Sequence, residues 1–287
     1  MYKLKHAIGR KIGLFAVGET IRVARRCHGF QPAEINISNG MRIDVVHRGP
    51  SSLRLGIVVA DRVDPGTGIP RLDLLIADRL QELAQGLSEE RDAYRGQVRN
   101  VFRNGRYKPT GRSKPASEYL LRAASEDRFP RINSLVDTCN YLSVASLIPI
   151  SIWDLDRAAL HAGQVEGDDP AFEFRLGAVD ESYVFNQGGQ EISVEDLIVG
   201  AVLSVDADSP HTRSLPIVNA VKDSQATKTS AATRRVAAAI YAPMADGPDL
   251  SLDEVCDLFC ELLGATSTES RCTRVILGPG ELSTLHV

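Results

Sequence analysis

Three polar residues near the middle of the chain have a spacing that suits a binding site. Asn133, Asp137 and Asn140 lie four and three residues apart, so on a helix they share one face. Amide and carboxyl groups in this arrangement offer hydrogen-bond donors and acceptors to a ligand. These three residues make the face too polar for a hydrophobic core. The apolar residues that border them make it too apolar for an ordinary solvent-exposed surface. We expect it to line a pocket.

The residues around this face predict the helix that would carry it. Between Ile132 and Val144 the apolar positions follow a roughly helical period, and Pro130 stands just before the first of them. Cys139 lies in the same run and is a conceivable nucleophile. A packed, unreactive thiol is the stronger interpretation, because no base accompanies Cys139 in the local sequence.

Motifs of the common catalytic and metal sites are absent from the sequence. We find no nucleophile elbow, zinc-protease helix, P-loop or dinucleotide-binding glycine motif. The six histidines are dispersed, without a pair at ligand spacing. Cys256 and Cys260 lie four residues apart, but no further Cys or His completes a zinc site, so both are predicted to pack in the core. We expect no metal and no cofactor.

The run from Phe129 to Arg157 resembles the editing domain of the bacterial phenylalanyl-tRNA synthetase beta subunit, called the B3/B4 domain, and its free-standing relatives. In that family a Pro-Ile-Asn element leads through Val-Val-Asp to Asn-Tyr, and then to a Pro and an aromatic-Asp pair. No gap is needed between Asn133 and Asp156. The matching residues here are Pro130, Ile132, Asn133, Leu135, Val136, Asp137, Asn140, Tyr141, Pro149, Trp153 and Asp154.

The resemblance implies that the protein binds the 3′ end of an aminoacyl-tRNA and hydrolyses a wrong amino acid from it. In the family the pocket holds that amino acid so that a bound water reaches the ester carbonyl. Positioning and hydrogen bonds can suffice for such an activated ester. By this resemblance Asn140 and Ser151 stand at the water-orienting positions. The residues implied to shape the pocket are Arg131, Asn133, Asp137, Cys139 and Asp154.

The chain departs from the family pattern at three positions. Cys139 replaces a Thr, Ser151 replaces a His, and Ala239 stands where the synthetase has a Glu that reads the tyrosine hydroxyl. Loss of a placed polar partner removes discrimination, so the pocket could accept a different amino acid, or hydrolysis could be lost. Without the His, Asp154 or Asp223 could assist as the base.

A second polar cluster follows later in the chain. Asp223, Ser224 and Thr227 match an Asp-Ser-x-x-Thr element of free-standing family members, which lies between two strands. The resemblance implies that these residues hold the end of the tRNA. From the residues alone, turn capping by Asp223 and Ser224 is the stronger interpretation.

The net charge of −4 conceals two basic blocks. Residues 1–50 carry nine Lys and Arg against three acidic residues, and residues 91–131 carry eleven against four. Residues 132–287 carry nine against twenty-three. Basic blocks of this kind can present a positive face to a phosphate backbone, or they can be solvated helix surface.

Four arginines in the second block recur at every fourth position. Arg91, Arg95, Arg99 and Arg103 would form one stripe on a helix. The stripe could contact phosphates through its charge and the release of counterions, or it could hold surface salt bridges. Since the family context favours phosphate contact, we assign that role to Arg95, Arg99 and Arg103.

The order of the predicted elements indicates an α+β fold with a mixed or antiparallel sheet. Strands are predicted at 53–60, 172–176, 183–185, 198–205 and 236–241, with helices from 71 and, after a capping box at Ser251 and Glu254, in the C-terminal region. The resemblance implies a layered β/β/α domain over 49–287, with a C-terminal helix. Residues 1–48 form a basic N-terminal extension with no family match, predicted to hold a helix at 12–26 and a hairpin around 38–40.

Composition limits the class of protein. The chain is 43% hydrophobic and 24% charged, as in ordinary globular proteins, and no apolar run reaches the ~20 residues of a membrane span. Five scattered cysteines indicate reduced thiols in a cytoplasm. We therefore expect a cytoplasmic trans-editing hydrolase whose partner is tRNA, with its oligomeric state open. A non-hydrolytic aminoacyl-tRNA or amino-acid binding module, and an enzyme using aminoacyl-tRNA as a donor, remain alternatives.

Overall fold

Strands of two sheets and the helices packed against them form the framework of the protein. This computed structural model describes residues 40–205 and 212–287. The helix predicted at 12–26 and the first strand of the hairpin around 38–40 lie outside the described residues. Met41–Val287 form one compact unit.

The strands and helices have the following bounds. In chain order the strands are β1 (Arg42–His47), β2 (Leu53–Asp61), β3 (Ile150–Asp154), β4 (Phe172–Leu176), β5 (Ser182–Val184), β6 (Glu191–Ser193), β7 (Ile198–Val205), β8 (Thr212–Asn219), β9 (Val236–Pro243), β10 (Arg271–Leu277) and β11 (Leu282–His286). The helices are α1 (Pro70–Leu83), α2 (Glu89–Val101), α3 (Ala116–Ser125), α4 (Ser134–Ser146), α5 (Leu155–His161) and α6 (Leu252–Gly264).

The described strands form a five-stranded sheet, a four-stranded sheet and a hairpin. The larger sheet has the order β11-β1-β4-β7-β8, and it is mixed because β1 runs parallel to β4. The smaller sheet has the order β10-β2-β9-β3 and is antiparallel throughout. Strands β5 and β6 pair with each other. The predicted α+β class with a mixed or antiparallel sheet is confirmed.

Aromatic rings join the two larger sheets. Trp153 on β3 contacts Phe172 and Phe174 on β4, with ring centroids 5.3 and 6.4 Å apart. Phe174 also contacts Tyr241 on β9 at 6.1 Å. All four rings are fully buried, and their tilted and edge-to-face geometries are favourable for aromatic pairs. These contacts bring one face of each sheet together in the core.

The two middle strands of the smaller sheet are almost wholly buried. Strand β9 is apolar throughout and β2 is apolar from Leu55 to Ala60, as expected for strands covered on both faces. Helix α6 packs against β2 and β10. A Cβ atom at Gly56 would lie 2.6 Å from the Sγ of Cys256 on α6, so glycine permits this close approach.

The strongly periodic elements agree with the sequence predictions. The helix on the central motif and the strands at 53–61, 198–205 and 236–243 form where expected, and the capping box joins Ser251 and Glu254. Strand β1 falls within residues 1–48, the predicted extension, yet it pairs with β4 and β11 of the compact unit. None of the helices in the described part of the chain has the length and hydropathy needed to cross a bilayer.

The prediction of reduced thiols is wrong for one pair of cysteines. Cys260 on α6 and Cys272 on β10 form a disulfide, with Cα atoms 5.3 Å apart. Because α6 leads directly into β10 and packs against it, residues twelve apart in sequence become neighbours. Cys139 and Cys256 are free and buried. The core packing predicted for Cys256 is therefore confirmed, whereas Cys260 serves as a covalent link.

Candidate functional site

A cavity of about 700 Å³ lies beside β3, where the central motif meets the second polar cluster. We call it the central cavity. Its walls come from α3, α4, β3 and residues 219–229, together with Arg112 from the loop before α3. The sequence-predicted residues that line it are Asn133, Cys139, Asn140, Ser151 and Asp223. The fold therefore brings together residues up to ninety positions apart in sequence.

Helix α4 presents Asn140, together with its N-cap residue Asn133, to the central cavity, while its other face packs in the core. Leu135 and Leu142 are fully buried, whereas Asn133, Val136 and Asn140 line the cavity at helical spacing. The Oδ1 of Asn133 accepts a hydrogen bond from the backbone N–H of Val136 at 3.0 Å and so caps the helix. The Asn140 carboxamide makes no hydrogen bond with any described residue, which leaves it available to a ligand or water.

Asp137 and Arg131 fix the segment that leads into α4, and both line a neighbouring cavity of about 460 Å³. Asp137 accepts hydrogen bonds from the Arg131 Nε at 2.8 Å and from the backbone N–H of Ile132 at 2.7 Å. Arg131 also pairs with Asp73 on α1. Ile132 and Asn133 line both cavities. Arg131 and Asp137 therefore shape the site from outside the central cavity.

Ser151 supplies a buried hydroxyl to the wall formed by β3. Its Oγ donates to the backbone carbonyl of Asn219 at 3.0 Å, and the Tyr241 hydroxyl lies 3.4 Å from the same Oγ. The Asn219 side chain in turn donates to the Tyr183 hydroxyl at 2.5 Å. This network fixes the serine rather than leaving its hydroxyl free to rotate.

Cys139 is a lining residue with the properties of a packing thiol. Its Sγ donates weakly to the carbonyl of Ile150 at 3.5 Å, and the residue is buried. Burial raises the pKa of the Cys139 thiol well above its usual value, with the charge of Asp223 acting in the same direction. The thiol is therefore protonated at neutral pH, which argues against a nucleophilic role.

Asp223 contributes a carboxyl group to the lining of the central cavity. Its Oδ1 is buried and has no hydrogen-bond partner among the described residues. Burial raises the pKa of the Asp223 carboxyl to about 7, although the nearby Ser151 hydroxyl and the charge of Lys228 act in the opposite direction. A buried carboxyl that is half ionised near neutrality is unusual for a purely structural residue.

The other two residues of the second polar cluster, Ser224 and Thr227, lie outside the lining of the central cavity. Ser224 accepts a hydrogen bond from the N–H of Ala226 at 3.2 Å and caps the short 3-10 turn Gln225–Thr227. Thr227 is fully buried, and neither residue lines the central cavity. In the second polar cluster, turn capping thus describes Ser224, while Asp223 faces the cavity.

Asp154 also lies away from the central cavity. One of its oxygens caps α5 by accepting from the N–H of Arg157 at 2.9 Å. The other accepts from the hydroxyl of Thr233 at 2.6 Å. Since both oxygens are engaged and the residue is buried, Asp154 stabilises the start of α5.

Three cations that the sequence analysis did not single out also line the central cavity: Arg112, Lys222 and Lys228. Within residues 40–205 and 212–287, none of them forms an ion pair. The Lys222 Nζ lies 3.8 Å from the centroid of the Phe185 ring, and the Lys228 Nζ donates to the Phe185 carbonyl at 2.6 Å. Asp223 is the acidic residue among those that line the cavity, so the three cations outnumber it. The cavity therefore suits a ligand that carries negative charge.

The sequence contains only weak indications that these three cations line the cavity. Arg112 belongs to the basic block at 91–131, and Lys222 directly precedes Asp223. Their convergence depends on the packing of α3 against α4 and on the path of the chain after β8, which no local pattern encodes. Two apolar side chains border the same cavity at its exposed edge, Tyr119 and Ile132, which are 40% and 67% exposed.

The arginine stripe lies away from the central cavity. Helix α2 ends at Val101, so Arg103 lies beyond it, exposed and hydrogen-bonded to the Asn100 side chain. Arg95 pairs with Asp92. Arg99 binds both carboxylate oxygens of the buried Glu118, at 2.6 and 2.5 Å. These pairings match the salt-bridge alternative for Arg95 and Arg99, whereas phosphate contact remains a prediction for all three assigned arginines.

Comparison with known proteins gives no family assignment: no protein-family model matches the chain, and no curated protein matches it in sequence. Among the described residues, no three His, Cys, Asp or Glu side chains are grouped so as to hold a metal ion. The function is therefore inferred from the central cavity and from the resemblance of the central motif.

Proposed function

We propose that this protein is a free-standing, B3/B4-like editing protein that hydrolyses a misacylated tRNA in trans. The proposal is based chiefly on the central cavity. Asn140, Ser151 and Asp223 line this cavity together with the three cations Arg112, Lys222 and Lys228. The motif residues come from one continuous run, whereas Asp223 comes from the separate Asp-Ser-x-x-Thr element. Two segments that match the family at separate places in the sequence thus meet at one cavity.

The charge and size of the cavity suit the 3′ end of an aminoacyl-tRNA. A cavity of about 700 Å³ can hold an amino acid together with part of a nucleotide. Arg112, Lys222 and Lys228 would contact phosphates by charge. The exposed ring of Tyr119 offers a surface on which a terminal base could stack.

Hydrolysis would use an ester that is already activated. The Asn140 carboxamide, free of protein partners, would bind the attacking water or the developing oxyanion. Ser151 would line the water position, with its hydroxyl oriented by Asn219 and Tyr241. Positioning of the bound ester against this water supplies the remaining rate enhancement.

The arrangement of the elements supports the B3/B4-like layering expected for 49–287. Aromatic rings from the two sheets contact each other edge to face, while α4 and α6 pack against each other and against β3 and β2. This order of sheet, sheet and helices fits the expected β/β/α layers. With tRNA as substrate, a cytoplasmic location follows as part of the proposal.

Deacylation of a panel of radiolabelled aminoacyl-tRNAs, correctly and incorrectly charged, tests the proposal. We expect the protein to release amino acid from at least one mischarged species, and Asn140→Ala to slow this release about 100-fold or more. Asn104→Ala is the control, since it removes a carboxamide from the loop after α2, outside the lining of the central cavity. Release from no species by the wild-type protein contradicts the proposal.

A binding module is the second candidate, and two observations favour it. The Ser151 hydroxyl is committed to the Asn219 carbonyl, and the Cys139 thiol is protonated, so neither group is a ready nucleophile. Under this candidate the cavity recognises an aminoacyl-tRNA or a free amino acid without turnover. Equilibrium binding of aminoacylated against uncharged tRNA, with no release of amino acid, would identify it.

A further inference from the structure

We propose that Asp223 is the general base of this cavity, taking a proton from the water that attacks the aminoacyl ester. This inference rests on the proposed function and deepens it, because the sequence left Asp154 and Asp223 as alternative bases and the contacts of the two residues distinguish them. Ser151 stands where the family has a histidine, and a serine hydroxyl is not a comparable base. Asp223 would take over the role of that histidine as the base.

The placement of Asp223 is that of a reactive carboxylate. It lines the central cavity, and its Oδ1 is buried without a partner among the described residues. A buried carboxylate oxygen normally finds a hydrogen bond, so an orphaned one in a cavity wall indicates a site completed by a ligand or water. The neighbouring Ser151 and Asn140 line the same cavity and can bind the same water.

Other carboxylates of the region are excluded by their contacts. Asp154 caps α5 and accepts from Thr233, and it lies outside the cavity lining. Asp137 binds Arg131 and the backbone of Ile132. Glu118 is held by Arg99. Each of these groups is ion-paired or fully hydrogen-bonded, whereas Asp223 retains a free oxygen.

The proposed step balances without a further reactant. Water oxygen attacks the ester carbonyl carbon as Asp223 accepts one water proton, which gives a tetrahedral oxyanion bound by the Asn140 amide. The bond from carbon to the ribose oxygen then breaks, and the protonated Asp223 returns the proton to that oxygen. The products are a free amino acid and a tRNA with a free terminal hydroxyl, and the carboxylate is regenerated.

The surroundings of Asp223 suit this role at neutral pH. Burial raises the pKa of Asp223 to about 7, close to the value at which a general base is most effective. The Ser151 hydroxyl, the backbone N–H groups of Asn219 and Ile152, and the charge of Lys228 lower this pKa. Three further groups that face Asp223 stay protonated, since their pKa values are raised: Cys139 on α4, Tyr183 on β5 and Tyr241 on β9. Arg112 and Lys222 add two positive charges to the same cavity lining.

The pH dependence of single-turnover deacylation, measured on the species identified by the panel, tests the inference. We expect the wild-type rate to rise with pH and to level off above about 7. Asp223→Asn should lower the rate about 100-fold or more and remove the inflection. Its affinity for uncharged tRNA should change less than about threefold. An active wild-type protein with Asp223→Asn within threefold of its rate would overturn the inference and leave the proposed function intact.

A second variant guards against a purely structural effect. Lys228→Met removes a charge that lowers the pKa of Asp223, so we expect the inflection of the rate to move to higher pH. An unchanged inflection in this variant contradicts the inference even if Asp223→Asn does not fold. A wild-type protein that releases no amino acid from any species overturns the inference and the proposed function together.

Discussion

Ser151 lies directly opposite Ala239 in the antiparallel pairing of β3 with β9. Directly opposed residues project from the same face of a sheet, and Tyr241, two residues further along β9, shares that face. The Tyr241 hydroxyl lies 3.4 Å from the Ser151 Oγ, and Ala239 is fully buried. The polar contact to Ser151 from β9 therefore comes from Tyr241.

Ser151→Ala should lower both stability and turnover. It removes the donor to the Asn219 carbonyl, and loss of one partner in a buried hydrogen bond costs about 1–3 kcal/mol. Denaturant unfolding and deacylation assays measure the two effects. Ser143→Ala is the matched control, because its buried hydroxyl also donates to a backbone carbonyl, of Ile148, but lies outside the central cavity. Equal losses of activity in the two variants would contradict a role for Ser151 in the site.

Asn140→Ala and Asn133→Ala should separate activity from stability. Asn140 has no partner among the described residues, so we expect its removal to change stability by less than about 0.5 kcal/mol. Turnover should fall about 100-fold or more, as for loss of an oxyanion donor. Asn133→Ala removes the cap of α4 and should cost about 1 kcal/mol of stability. Thermal melts and single-turnover rates test this contrast, and full activity in Asn140→Ala would refute it.

Strong local patterns account for the part of the fold that the sequence predicts. Helix α4, the buried strands β2, β7 and β9, and the capping box of α6 each follow from a continuous pattern of apolar residues or from cap chemistry. The pairing of β1 with both β4 and β11 joins segments far apart in the chain, and no local pattern specifies it.

The candidate site was predictable to a similar degree. Asn140 and Ser151 were recognised because they lie in one ungapped motif. Arg112 and Lys222 were missed, since their convergence with Asn140 depends on tertiary packing. Conversely, Asp154 matched the motif but serves to cap a helix, because sequence similarity does not show where a side chain points.

Binding of tRNA should depend on the cations of the cavity more than on the arginine stripe. Arg112→Ala should weaken binding and reduce the slope of log affinity against log salt by about 1. Arg99→Ala should instead destabilise the fold, because it leaves the buried Glu118 without its bidentate partner. Salt titrations of tRNA binding, alongside unfolding curves, distinguish the two. A larger change of slope for Arg99→Ala would favour the arginine stripe as the phosphate contact.

Reduction of the disulfide should destabilise the protein. The bond joins Cys260 and Cys272, twelve residues apart, and closing a loop of this length contributes about 2–3 kcal/mol in the chain-entropy model. We expect a reducing agent to lower the unfolding midpoint of the wild-type protein. The double variant Cys260→Ser, Cys272→Ser is the control, and its midpoint should not respond to the reductant. A wild-type midpoint that is the same with and without reductant would contradict the disulfide.

The stability of the protein should also report the ionisation of Asp223. Its folded-state pKa of about 7 exceeds the ordinary value of 3.8, so the folded state binds more protons than the unfolded state between these two pH values. The contribution of this carboxyl to stability is therefore fully present below about pH 4 and is lost as the pH rises toward 7.

Asp223→Asn should remove this dependence, since an amide does not ionise. The wild-type protein should lose the contribution of Asp223 between pH 4 and 7, whereas the variant should not. The free energy of unfolding of the variant minus that of the wild-type protein should therefore rise from pH 4 to 7 and then level off. Urea unfolding of both proteins at several pH values measures the difference directly. Parallel stability curves for the two proteins across this range would show that Asp223 ionises normally in the folded state, which would remove the physical basis for its role as a base near neutral pH.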